Sequence, residues 1–108
     1  MKEINEGADI ARAHYEKVPM AVASGGDLSL VELTLNVLNL RPLFDTVVAV
    51  NDVAFGKPAP DIFLLAAQRL GMSPSDCIIY EDSDGGIEAA SRAGMRVIDI
   101  RKFIIPKL

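Results

Sequence analysis

Short, largely apolar runs alternate along this chain with longer segments in which apolar residues recur every three or four positions. The runs lie at residues 20–23, 46–50, 78–80 and 96–100, each too short for a buried helix and each bordered by turn formers. Residues 46–50 read Thr-Val-Val-Ala-Val, almost wholly β-branched. Runs of this kind predict buried strands. Between them the helical period takes over. Residues 8–17 are rich in helix formers and are broken by Pro19. Leu28, Val31, Leu35 and Leu38 recur at helical spacing behind Asp27, a good N-cap, and predict a helix over 28–40 that Pro42 closes. Asp61 and Ile62 open a third helix that runs to Leu70 and stops at Gly71, and residues 85–93 form a fourth that ends at Gly94.

The resulting order, α, β, α, β, α, β, α, β with connections of a few residues, predicts an α/β fold. Its parallel sheet has about four strands, right-handed crossovers and helices on both faces. No repeat, linker or low-complexity segment divides the chain, and 108 residues suit a single domain spanning 1–108. Neither Gly-x-Gly-x-x-Gly nor a Walker pattern is present, so a nucleotide-binding fold of the usual signature is not supported.

Composition narrows the function. Half of the residues are hydrophobic and 24% are charged, the balance of a folded globular chain. A net charge of −4 with scattered Lys and Arg argues against nucleic-acid binding. No stretch approaches the roughly 18 apolar residues that suggest a membrane span. The opening Met-Lys-Glu-Ile-Asn-Glu lacks the apolar core of a signal peptide, so a cytoplasmic location is expected. Cys77, the sole cysteine, opens an apolar run and reads as a small buried hydrophobe. His14 has no second His and no Cys nearby, and reads as a surface or half-packed side chain.

The candidate chemistry lies at strand ends, where α/β folds gather their ligands. Ser24-Gly25-Gly26 follows the first strand, Lys57 lies beyond the second, and Glu81-Asp82 closes the third. A hydroxyl, an ammonium and adjacent carboxylates on one edge suit a phosphate with Mg²⁺, because hard oxygen ligands hold the metal while Lys and Ser take phosphate oxygens. Taken singly, each has a plainer reading: Ser24 begins a turn, Lys57 is solvated, and Glu81 and Asp82 cap the following helix.

Together these residues resemble motifs two, three and four of the haloacid dehalogenase-like phosphatases, with the closest likeness to the β-phosphoglucomutase and sugar-phosphatase subgroup. The resemblance rests on Ser24 after an apolar strand, on residues 56–63 (Gly-Lys-Pro-Ala-Pro-Asp-Ile-Phe), and on Glu81-Asp82-Ser83 followed by Gly86-Ile87-Glu88-Ala89-Ala90 and Ala93-Gly94-Met95. It implies that Ser24 and Gly25 bind the transferring phosphoryl group and that Lys57 neutralises it. Asp82, with Glu81 directly or through water, would hold Mg²⁺. The reaction implied is phosphoryl transfer through an aspartyl-phosphate on a small sugar phosphate.

The family's first motif, Asp-x-Asp-Gly-Thr, supplies the nucleophile on a central strand ahead of a cap domain, and neither is found ahead of residue 20. Asp82-Ser83-Asp84-Gly85 mimics its spacing, but the downstream Gly-Ile-Glu-Ala-Ala and Ala-Gly-Met put this stretch in register with the fourth motif; Asp84 then reads as an acid at a helix N-terminus. Gly26 departs from relatives that often carry a hydroxyl there. The expectations are therefore little or no activity for the chain alone, and either a homodimer or completion by an amino-terminal segment at the unpaired strand edges. The alternative is a non-catalytic, self-associating or partner-binding α/β module.

Overall fold

The computed structural model describes residues 11–13 and 17–100. Residues 11–13 are helical, inside the helix expected over 8–17; His14 lies outside the described residues. Strand β1 (Ala21–Ala23) leads through the Ser24-Gly25-Gly26 loop into α1 (Leu28–Val37). Asp27 caps α1 by accepting from the Ser29 amide at 3.1 Å. The second Asp27 oxygen accepts from the Asn51 side chain at 3.0 Å. That hydrogen bond, followed by the one from Ser29, holds the Asp27 carboxyl below its ordinary value. Helix α1 ends at Val37 rather than at residue 40, because Asn39 takes φ 57° and Leu40 N–H turns back to Leu35 O at 2.8 Å. Pro42 then sits in a short 3₁₀ turn, Arg41–Leu43.

Strand β2 (Thr46–Val48) stops short of Val50, where Val50–Asp52 coils into a 3₁₀ turn and Asp52 accepts from the Ala49 amide at 2.9 Å. Helix α2 (Asp61–Leu70) carries an acid in its first turn, Arg69 in its last, and Gly71 at φ 68° as its left-handed terminator. Strand β3 (Ile78–Glu81) is followed by α3 (Asp84–Arg92) and β4 (Arg96–Asp99). Ser83 caps α3 by accepting from the Gly86 amide at 3.1 Å, so the cap is Ser83 and not the acids before it. Asp84 takes the first helical position, as the dipole favours.

All strand pairing is parallel, but the four strands form two pairs rather than one continuous sheet. Strand β1 pairs with β2 in the register Ala21↔Thr46, and β3 with β4 in the register Ile78↔Arg96. Among the described residues β1 and β3 do not pair, so the gap expected from the missing central strand is left open. A cleft of about 490 Å³ separates them, lined by residues 20–23 on one side and 76–81 on the other.

Helix α2 packs over β1 and β2, and α3 over β3 and β4. Ile62, Phe63, Ala66 and Ala67 of α2 meet Ala89 and Ala90 of α3 together with Val48 and Met95 in the main core. The alanines let the helices approach closely, and burying Ile62 and Phe63 stabilises by about 1.5–3 kcal/mol each. Cys77 is half-buried against this core, with burial, followed by the charge of Asp76, pushing its thiol up. Helix α1 buries nothing completely; Leu28, Val31 and Leu35 are half-buried, whereas Leu30, Leu33 and Val37 are exposed. No helix of the described residues is long and apolar enough to cross a membrane.

Candidate active site

Parallel strands place all their carboxyl ends on one side of a pair, and two contacts gather those ends across the pairs. Ser24 N–H donates to Val48 O at 2.9 Å, joining the ends of β1 and β2. Lys57, from the loop beyond β2, donates to Glu81 Oε2 at 2.8 Å and so ties that loop to the end of β3. Of the residues expected at one edge, Lys57 and Glu81 are thus in direct contact, while Ser24 closes onto the end of β2.

Glu81 anchors the site. Its carboxylate is divided between two tasks, with Oε2 bound to Lys57 and Oε1 accepting from the Asp82 amide at 3.0 Å and the Ser83 hydroxyl at 3.1 Å. The side chains of Lys57 and Glu81 are 19% and 8% exposed, so this is a buried ion pair and not a screened surface contact. Burial pushes the Glu81 carboxyl up, but the hydrogen bond and charge of Lys57, helped by Asp82, outweigh it and hold the group below its ordinary value. Lys57 is fixed from a second side as well, its ammonium lying 5.2 Å from the centre of the Phe63 ring.

Asp82 is different. It is exposed, and among the described residues it forms none of the salt bridges. Partial burial, followed by the hydrogen bond and charge of neighbouring Glu81, pushes its carboxyl up. No group of three or more metal-ligating side chains occurs among the described residues. The residues present still suit Mg²⁺, which is held through one or two carboxylates with water and phosphate oxygens. Asp82 is the more exposed of the two carboxylates, while Glu81 is committed to Lys57.

Ser24 is half-buried, and its Oγ accepts from the Gly26 amide at 3.0 Å. A hydroxyl has one proton, so that acceptor role leaves its O–H available to an incoming oxygen. Gly25 is exposed, with no atom near the place a Cβ would take, which leaves room for an anion against the backbone. A Cβ on Gly26 would stand 3.4 Å from Ser24 Oγ, so a hydroxyl-bearing residue there would add its donor beside Ser24. The side-chain bond of Ser24 is to its own loop, whereas Lys57, Glu81 and Asp82 form one connected group.

Three supporting roles were not read from the sequence. Asn51 accepts from the Leu28 amide at 2.8 Å while its own amide group donates to Asp27, stapling the β2 loop to the β1 loop. Phe63 and Ser83 hold Lys57 and Glu81 in place. Both fall within the stretches that carry the family resemblance, but only Ser83, three residues ahead of Gly86 and just before a helix, had the ordinary look of its role, an N-cap.

Residues 8–94 match the haloacid dehalogenase-like hydrolase family. The fructose-1-phosphate phosphatase YqaB of Escherichia coli is 46% identical over 93 residues, which cover 86% of this chain and 50% of that protein. CbbY from Rhodobacter sphaeroides, solved in complex with phosphate, superposes with a TM-score of 0.74 at 33% identity over 87% of this chain and 42% of the other. β-Phosphoglucomutase from Clostridium difficile does so with a TM-score of 0.74 at 26% identity, over 89% and 41%. The chain thus spans about half the length of the relatives it matches. With the family match covering residues 8–94 of 108, the chain belongs to the haloacid dehalogenase-like hydrolases.

Proposed function

We propose that this chain carries the phosphate-binding and Mg²⁺-binding half of a phosphatase or phosphomutase site for a small sugar phosphate. The observation that supports it most is the buried Lys57–Glu81 pair, which holds an ammonium at the end of β3, the strand that Asp82 follows. A buried lysine aimed at a polar loop cluster suits a phosphoryl group, whose charge it neutralises with little reorganisation. Ser24 donates its hydroxyl proton to a phosphoryl oxygen, and Gly25 allows that group to approach the main chain. Asp82, with Glu81 through water, would hold Mg²⁺, which when bound supplies charge neutralisation to the phosphate oxygens.

Inorganic phosphate is the simplest probe. Titration into the protein with Mg²⁺, followed by ³¹P line broadening, is expected to show saturable binding. Ser24→Ala should weaken it about ten- to a hundredfold, the worth of one hydrogen bond to a charged group. Equal binding by the variant would remove Ser24 from the site.

The catalytic nucleophile belongs to the family's first motif, so the isolated chain is expected to turn over little or nothing. The same gap favours association. Strands β1 and β3 each present an edge to the open cleft, and such edges pair readily with another chain. The isolated chain is therefore expected to be a homodimer, or to accept an amino-terminal segment that supplies the central strand. Light scattering should give twice the chain mass; a monomer that unfolds cooperatively would contradict self-association. A non-catalytic binding module is the second reading, and the same open cleft is what favours it.

A further inference from the structure

Gly86 lies in the first turn of α3 and is buried. Its φ is not in the left-handed region, so its backbone conformation does not require glycine. Glycine inside a helix costs roughly 0.5–1 kcal/mol relative to alanine, so helix stability argues against it as well. The reason for glycine is steric. A Cβ on Gly86 would overlap Cγ, Cδ and Oε2 of Glu81, whereas a Cβ on neighbouring Gly85 would meet nothing.

Oε2 is the oxygen that holds Lys57. The carboxylate can reach it while its other oxygen stays with Ser83 and the Asp82 amide, but only if the space above Gly86 is empty. We propose that Gly86 is a positioning residue: by lacking a side chain it makes the seat for the Glu81 carboxylate, and through Glu81 it fixes the direction of Lys57. The atoms a Cβ would displace are the far end of a flexible side chain, so the chain can keep its fold by swinging Glu81 aside. What it loses is the grip on Lys57. This deepens the phosphate-site reading, on which its functional meaning rests, but its test needs no substrate.

The full chain is treated with acetic anhydride, and acetylation of each lysine is followed by mass spectrometry, with exposed Lys17 as the internal reference. Lys57 is expected to react slowly in the wild type. Gly86→Ala should raise its rate several-fold, to that of Glu81→Gln, and Gly85→Ala should leave it unchanged. The double variant Gly86→Ala with Glu81→Gln should react no faster than Glu81→Gln alone. A wild-type rate in Gly86→Ala, or a rate in the double variant above that of Glu81→Gln, would overturn the proposal. Circular dichroism checks the fold of each variant. If Gly86→Ala does not fold, Glu81→Ala removes Cγ, Cδ and Oε2, the atoms that the added Cβ would meet. Adding Gly86→Ala to that background should then leave the Lys57 rate unchanged and the unfolding midpoint no lower, and a loss of fold there would count against the proposal. Failure to bind phosphate with the expected acetylation pattern intact would sink the phosphate reading and leave the positioning role standing.

Discussion

Lys57→Met is expected to lower the unfolding free energy at pH 7 by about 3–5 kcal/mol, the cost of leaving one member of a buried ion pair without its partner. That is a large share of the roughly 5–15 kcal/mol that holds a domain of this size together. The pH dependence identifies the cause. In the wild type the Glu81 carboxyl sits below its ordinary value of 4.5. Its contribution is therefore complete above that value and is lost as the pH falls through the folded-state value. In the variant the hydrogen bond and charge of Lys57 are gone and only the weaker contacts to Asp82 still oppose burial, so the Glu81 carboxyl rises and its charged form is a penalty at neutral pH. That penalty is shed as the group takes a proton. Urea midpoints of the two proteins should accordingly be far apart at pH 7 and converge toward pH 4. A difference that stays constant with pH would mean that the lost packing of the lysine stem, and not the charge, was responsible.

The elements of this fold were legible because the chain writes them locally. Thr46–Val48 is a β-branched run, Asp27 and Gly71 are ordinary helix punctuation, and Pro58 and Pro60 mark where α2 can begin. The errors were at ends settled by contacts between loops. Asp52 reaching the Ala49 amide ends β2 before Val50, and the αL turn at Asn39 ends α1 before residue 40. The meeting of Lys57 with the acids at the end of β3 follows from their places at strand ends, but their division of labour does not. Adjacent Glu81 and Asp82 look equivalent in sequence, yet β3 turns Glu81 inward to 7% exposure beside Lys57 and leaves Asp82 outside. The role of Gly86 needs the position of a carboxylate from another element, which no local pattern states. The division of the sheet into two pairs among the described residues likewise depends on pairing between strands distant in sequence, which no local pattern states.

The division between Glu81 and Asp82 carries the second large effect. Asp82 is expected to be dispensable for folding and indispensable for turnover. Partial burial and then the Glu81 carboxylate raise the Asp82 carboxyl above its ordinary value of 3.8. A raised carboxyl opposes folding once the pH is above the ordinary value, so removing it at neutral pH leaves stability unchanged or slightly improved. Asp82→Ala should therefore unfold at or just above the wild-type temperature. Loss of a ligand that fixes charge against the phosphoryl oxygens should nonetheless lower turnover about a hundredfold or more. Contrary behaviour, with stability and activity falling together, would make Asp82 a structural residue.

The most direct measurement is phosphate release from an aryl phosphate with Mg²⁺, using the chain mixed with an amino-terminal segment that carries the family's Asp-x-Asp motif. The chain alone should release little or none, the completed protein should turn over, and Asp82→Ala in the completed protein should abolish the release. A complex that forms and releases nothing, or one whose release is undiminished by Asp82→Ala, would contradict the assignment of this edge as half of a phosphoryl-transfer site.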